Sequence, residues 1–359
     1  MTPLRPSRRL VASAATLALA ALVAAGCGSD SDDSESSKGS ADSGAKDTLV
    51  VYSGREKELV EPLYERFEEE SGIDLKIRYA DSAAMAAQLQ EEGDRSPADV
   101  FYSQDAGAIG AVEPLLAELS PELVANVPAK YRDKAGRWTG VTGRVRTLVY
   151  NTDALEEADL PTSVFGVLEP EWKGKVGVAP TNASFIAFVT AMRLELGDDR
   201  AREFLEGLVA NDAQIYEKNG PIVDAVGKGE VEVGLVNHYY LWERLEKDAD
   251  LPIANHFFAP KDIGNLVNTS AIGILASAEH RAEAEQLVEF MLAEGQEFIV
   301  NDAPEREYPL SLTTDIANNE RYKELPTLEG IQAPDVDLSD LGAELEDTVA
   351  LIRESGLGS

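Results

Sequence analysis

Two adjacent tyrosines, Tyr239 and Tyr240, follow a run of strand formers at residues 231–236 in the stretch GLVNHYYLW. Side chains alternate along a strand and turn by roughly 100° per residue along a helix, so neighbours cannot both face one core. At least one phenol therefore needs another use. A free tyrosine ionises only near pH 10, but a bound cation can deprotonate its own ligands, and phenolate oxygen suits a hard, highly charged ion. The competing use is plainer: one ring packs in the core while the other lines a cleft for a sugar or another organic ligand. The pair alone leaves both open.

Other candidate groups sit in loops that follow strands. In open parallel sheets ligands bind outside the carboxyl ends of the strands. Four loops qualify: Tyr52-Ser53-Gly54-Arg55-Glu56, Ser103-Gln104-Asp105, Thr181-Asn182-Ala183-Ser184 and Asn237-His238-Tyr239-Tyr240. Each leads toward a helix N-terminus, whose unpaired N–H groups favour an anion, and the first two are expected to face the other two across a cleft. Phenols and carboxylates converging with such N–H groups fit Fe(III) accompanied by an anion. A guanidinium can grip an anion bidentately, which makes Arg55 and Arg146 candidates; the alternative is an ion pair, because the chain is rich in carboxylates. Catalytic readings fare poorly. The three histidines, at 238, 256 and 280, show no HExxH spacing, and the glycines at 220, 227 and 229 lack the Lys-Ser/Thr ending of a phosphate loop. Nothing nominates a Ser/His/Asp triad.

The elements that must position these loops read as two α/β blocks. Strands are expected at 49–52, 75–79 and 98–102, with helices at about 54–72, where Ser53 could cap and Pro62 is awkward, and at 83–90. The second block offers a strand at 176–179, helices at 183–196, 200–209 and 222–227, and the strand before the tyrosines. Strand formers at 142–150 and 264–275 read as two crossings between the blocks. Alternating strands and helices imply parallel sheets covered on both faces, and two blocks joined by two strands describe a clamshell. No internal repeat is evident.

The formal charge of −33 argues against nucleic acid or an anionic membrane surface as partner. Carboxylates spread along solvated helix faces say nothing about a cation. At the N-terminus, Arg5, Arg8 and Arg9 precede an apolar run at 10–25 that is shorter than the roughly 20 residues of a membrane span, which reads as a secretion signal. Cys27, the single cysteine, follows Ala24-Ala25-Gly26 and resembles a bacterial lipobox, with Ala24 where leucine is usual. The expectation is removal of residues 1–26, lipidation of Cys27 and a flexible tether over 27–47, whose Ser/Asp/Gly composition cannot form a core. Ser7-Arg8-Arg9-Leu10 also allows twin-arginine export without establishing it. The remaining chain is long enough for one large or two medium domains.

The stretches LVVYSGREKELVEPLYERFEEESGI, PADVFYSQDAGAIGAVEP, EWKGKVGVAPTNASF, IYEKNGPIVDAVGKGEVEVGLVNHYYLW and REYPL resemble the periplasmic ferric-ion-binding proteins, the bacterial transferrin-like solute-binding components of iron(III) ABC transporters. The resemblance implies a two-lobed type II solute-binding fold of parallel sheets flanked by helices with two crossover hinge strands. It places residues 48–143 and 268–310 in one lobe and 144–267 and 311–359 in the other. It implies Fe(III) held by Tyr239 and Tyr240, a synergistic carbonate or phosphate at Asn182, Ala183, Ser184, Asn219 and Asn237, and no enzymatic activity. The first lobe departs from the family. Glu56, Gln104 and Asp105 are its candidate metal-site residues: Glu56 stands where a histidine ligand is usual, Gln104 where a glutamate ligand is usual, and Asp105 where a neutral glutamine contacts the anion. Related groups carry a further tyrosine in the loop after Ala179; here Phe185 is the nearest aromatic. Two phenolates and Glu56 would already balance Fe(III), and Asp105 would add a fourth charge, so less dependence on an added anion is expected. The whole implies a monomeric extracytoplasmic lipoprotein, held to the membrane by its lipid alone, that delivers iron to a permease. The rival is a solute-binding protein for a small organic anion such as a phosphonate, with a hydrolase third.

Overall fold

The computed structural model describes residues 48–357, so the signal segment, Cys27 and the tether lie outside the described residues. In chain order come β1 (Thr48–Ser53), α1 (Lys57–Ser71), β2 (Asp74–Tyr79), α2 (Ser82–Glu92), β3 (Val100–Ser103), α3 (Ala106–Gly110), α4 (Pro121–Ala125) and the long β4 (Trp138–Asn151). There follow β5 (Val176–Val178), α5 (Ala183–Leu196), α6 (Asp198–Ala210), β6 (Gln214–Ile215), α7 (Asn219–Gly227), β7 (Val233–Asn237), α8 (Tyr239–Leu245), β8 (Ile253–His256) and β9 (Val267–Ile274). The chain finishes with α9 (Arg281–Leu292), α10 (Glu294–Asn301), β10 (Tyr308–Pro309), α11 (Leu328–Ile331) and α12 (Leu345–Glu354).

Local signals account for most of these elements. In α1, Leu59, Leu63 and Phe67 recur at spacings of four and are buried, and Gly72 ends the helix at φ 72° with its N–H on the Glu68 carbonyl. Ser53 does not cap it. β1 runs on through Ser53, whose Oγ accepts from the Tyr64 hydroxyl at 3.2 Å, and the helix starts four residues later behind Glu56. Pro62 lies inside α1, where it forgoes one backbone hydrogen bond. α5 has the bounds its sequence suggests. Asn182 caps it by accepting from Ser184 N, Gly197 closes it with an N–H on the Arg193 carbonyl, and residues 184–192 are buried.

The strands order as β2-β1-β3-β9-β4-β7-β5-β6. β1 pairs in parallel with β2 and β3 at one end, and β5 with β7 and β6 at the other. The two parallel sets are joined by antiparallel strands. Residues 138–145 of β4 pair with β9, and residues 146–151 pair with β7 and β8. β4 starts earlier than its strand formers suggest because Gly140 interrupts them. A Cβ there would lie 2.6 Å from the Tyr131 carbonyl oxygen and 2.5 Å from Thr269 Oγ1, and the register shifts beside it. The C-terminal stretch braces both sets: helical turns at Leu338–Asp340 and Gly342–Glu344 pack on α3, and α12 packs on α5 and α6. Among the described residues no helix is long and apolar enough to cross a membrane.

Candidate metal centre

The parallel strands bring all four loops to one place. Tyr239 and Tyr240 open α8 one residue after β7 ends, and His238 fixes the turn between them. Its backbone N–H donates to the Val145 carbonyl at 2.9 Å, its Nδ1 accepts from Val145 N at 3.2 Å, and its Nε2 donates to the Arg306 carbonyl at 3.2 Å. Burial pushes this imidazole down to about 4, so it is neutral and both its nitrogens are occupied. The ring stands between the strand and the phenols as a spacer.

Neither tyrosine is left at a surface. They are 1% and 3% exposed and stack on each other, with centroids 4.3 Å apart and planes at 29°. The expectation that adjacent residues cannot share a core fails here: the first turn of a helix sets the two rings face to face in one buried cluster with Ile222, Val226 and Leu241. Burial holds the Tyr239 phenol well above 10.0, with Tyr240 adding to the rise and Arg144 and Arg55 pulling the other way. Tyr240 is raised by burial and then by the Glu56 carboxylate, against hydrogen bonds with Tyr239 and Asn219. Both phenols are therefore neutral until a stronger field acts on them.

Cationic groups supply part of that field. Arg144 and Arg146 share one face of β4, two residues apart. The Arg144 guanidinium carbon lies 5.9 Å from the Tyr239 ring centre. Glu307, from the turn before β10, accepts from Arg144 Nη2 at 2.7 Å, from Arg55 Nη2 at 2.9 Å and from Thr142 Oγ1 at 2.5 Å. Burial alone would raise this carboxyl, but Arg144 and Arg55 outweigh burial and bring it to about 2. Arg146 is buried against Phe185 and Phe188 and donates to the Leu235 carbonyl at 2.7 Å and Ser184 Oγ at 3.3 Å. Burial lowers it to about 9. The surface ion pair offered as its alternative role is absent among the described residues. Arg55 Nε, Arg144 Nε and Nη1, and Arg146 Nε have no hydrogen-bond partner.

The opposite wall is built from amides. Asn182 Oδ1 accepts from Ser184 Oγ at 2.7 Å and from Asn219 Nδ2 at 3.2 Å, and Asn219 Nδ2 also reaches Ser184 Oγ at 3.0 Å. Ala183, between Asn182 and Ser184, is half-buried at the start of α5. Asn219 Oδ1 and Asn237 Nδ2 remain without partners. Arg146 and Asn237 are register partners on β4 and β7, which joins the guanidinium wall to the amide wall.

The first-lobe candidates separate. Glu56 is half-buried, acts on Tyr240 and lies 3.9 Å from Lys218 across the cleft. Gln104, held by its N–H on Ser82 Oγ at 2.8 Å, lines a cavity of about 290 Å³ together with Arg55, Glu56, Asn182 and Lys218. Asp105 lines no part of this cavity. It caps α3, its Oδ1 accepting from Ala108 N at 3.0 Å, while its buried Oδ2 has no partner. Burial lifts its carboxyl to about 6 against the Ala108 N–H and Arg144.

Sequence reasoning passed over Arg144, Thr142 and Glu307. Arg144 could have been found from its two-residue spacing to Arg146. Glu307 lies in REYPL, and nothing local marks it as a partner of Arg55, 252 residues away. Glu305, also buried, is lifted to about 8 by burial and by Glu307. Among the described residues no three His, Cys, Asp or Glu side chains converge on a metal site. The cavity that Glu56 and Gln104 line includes neither tyrosine, and Glu56 bears on the pair only through its charge on Tyr240; phenol and carboxylate oxygens are nonetheless the donor types a hard trivalent cation takes.

Residues 95–329 match the family described as bacterial extracellular solute-binding proteins. The Fe(3+)-binding periplasmic protein of Serratia marcescens is 31% identical over 324 residues, 89% of this chain and 92% of its own. The major ferric iron-binding protein of Neisseria meningitidis serogroup B is 31% identical over 317 residues, 86% of this chain and 93% of its own. The crystal structure of iron-bound HitA from Pseudomonas aeruginosa superposes with a TM-score of 0.80 at 34% identity, covering 86% of this chain and 99% of that one.

Proposed function

Because the chain belongs to the bacterial extracellular solute-binding proteins, among the periplasmic ferric-ion-binding proteins, we propose that it captures Fe(III) outside the cytoplasm, with Tyr239 and Tyr240 as phenolate ligands. The observation that carries this reading is the stacked, buried tyrosine pair at the start of α8, with Arg144 5.9 Å from the Tyr239 ring centre and the charges of Arg55 and Glu56 acting on the phenols. Fe(III) is the cargo, and the protein's part is to bind and release it; the relatives are solute-binding proteins and not enzymes.

Capture requires both phenols to lose a proton. The ion supplies most of that driving force, and the arginines beside Tyr239 assist by stabilising the phenolate. Glu56 completes charge neutrality from across the cleft, and Gln104 offers a neutral oxygen at its edge. A carbonate or phosphate would lie against Asn182, Ala183, Ser184, Asn219 and Asn237, with the unpartnered Nε groups of Arg55 and Arg146 as further donors. Asp105, spent on the α3 cap and absent from the cavity, acts through its charge on Arg144 and not as a ligand. The lobes are assigned to residues 48–143 with 268–310 and to 144–267 with 311–359, closing on each other about β4 and β9. Cys27 carries the lipid, residues 27–47 the tether, and a membrane permease receives the iron from the monomer.

Adding ferric citrate to the purified protein tests the reading. A visible phenolate-to-iron charge-transfer band is expected, weakened by Tyr239→Phe and by Tyr240→Phe. A colourless protein without iron uptake, or a double Phe variant with unchanged affinity, would refute it and favour the organic-anion reading.

A further inference from the structure

The glutamate of REYPL ties the loop after β1 to β4 beside the tyrosines. Glu307 uses both oxygens: Oε1 takes Arg144, and Oε2 takes Arg55 and Thr142. All three charged side chains are no more than 5% exposed. The backbone that presents this carboxylate is held from several directions. Arg306 adopts φ 54°, a left-handed conformation uncommon for a residue with a side chain, and its carbonyl accepts from His238, the residue before Tyr239. The Tyr322 hydroxyl donates to the Glu307 carbonyl at 2.7 Å, and the Tyr308 ring lies 4.9 Å from the His238 ring. Tyr308 then pairs with Gly143, next to Arg144. The turn is thus fixed to the tyrosine helix and to β4 at once.

We infer that Glu307 is a positioning residue for the metal site: a carboxylate of the chain itself that clamps Arg55 and Arg144 beside the tyrosines and supplies negative charge that a dissolved anion would otherwise bring. The inference rests on the iron reading above. Two guanidiniums with one carboxylate leave one net positive charge next to the cation, and neutralising Glu307 leaves two. The excess repels Fe(III) and attracts phosphate or carbonate, in a buried setting where charges a few ångströms apart are weakly screened. Iron binding by the parent then depends on phosphate less than that of a Glu307-neutral form.

The test compares the parent, Glu307→Gln and the double variant Glu307→Gln/Arg144→Gln. Iron is titrated from ferric nitrilotriacetate and read from the charge-transfer band, in anion-depleted buffer and with added phosphate. Phosphate binding to the iron-free proteins is measured by calorimetry. The expected results are a loss of roughly tenfold or more in iron affinity for Glu307→Gln without phosphate, recovery with phosphate, and at least about tenfold tighter phosphate binding by its iron-free form. The double variant restores the charge count and should return phosphate affinity toward the parent value. It also guards against misfolding of the single variant, since leaving one buried ion unpaired destabilises a fold. Unchanged phosphate affinity in Glu307→Gln, or an iron loss that phosphate does not restore, overturns the inference. Absence of iron uptake by the parent refutes the iron reading separately, and the calorimetry still decides the role of Glu307.

Discussion

Asp105→Asn isolates one buried carboxyl whose free-energy consequence can be worked from the structure. Asn caps a helix about as well as Asp, so the bond from Ala108 N survives the substitution. What changes is the charge. Burial lifts this carboxyl from 3.8 to about 6, which at ~1.4 kcal/mol per pH unit amounts to about 3 kcal/mol. Below pH ~4 the side chain is protonated in both folded and unfolded chains, and the penalty is absent. Between ~4 and 6 only the unfolded chain ionises, so stability falls as pH rises. Above 6 both forms are ionised and the full penalty applies. Urea unfolding of the iron-free parent and variant across this range should give equal stabilities near pH 4 and an Asn form more stable by about 3 kcal/mol at pH 7. An Asn form that is less stable at pH 7, or a difference that does not change with pH, would refute the reasoning and mean that Arg144 fully satisfies a charged Asp105. The same variant bears on anion use. At pH 7 it removes a negative charge near the site, so its iron affinity should depend more on added phosphate than the parent's does.

Two further perturbations test the scaffold. His238 is pushed down to about 4 by burial, from 6.5; the unfolded chain therefore takes up its proton first as pH falls from 6.5 to 4, removing about 3 kcal/mol of stability in acid. His238→Gln should lack this loss, seen as a flatter urea midpoint against pH; because the window overlaps that of Asp105 with opposite sign, only the variants separate the two. Gly342→Ala would set a Cβ 2.2 Å from the Gly110 carbonyl carbon and 2.4 Å from Ala111 N, backbone atoms that cannot swing aside. A destabilisation of about 1–3 kcal/mol in urea unfolding is expected, and an unchanged midpoint would show that the C-terminal brace on α3 is loose.

The chain wrote its local structure legibly. α5 begins at Asn182 and stops at Gly197, α1 ends at Gly72 and the parallel strands fall where apolar runs stand, because caps, left-handed stops and periodicity act over a few residues. The tyrosine pair stood out within one short stretch, but the expectation that such neighbours lack a common core did not survive folding: both rings stack and bury in one cluster at the start of α8, which only the packed structure shows. Other features were decided by contacts between distant segments. Asp105, Gln104 and Glu56 look alike as loop residues after strands, yet only the packed sheet turns Glu56 and Gln104 to the cleft and spends Asp105 on the α3 cap. Arg55 and Arg146 both read as either anion donors or ion-pair members. Tertiary structure gave Arg55 a carboxylate and left Arg146 on two phenylalanine rings. Glu307 meets Arg144 and Arg55 from 163 and 252 residues away. No residue's neighbours in sequence encode such a contact; it exists only when β1, β4 and the turn before β10 have all folded, since desolvation and Coulomb energy depend on where charges lie in space.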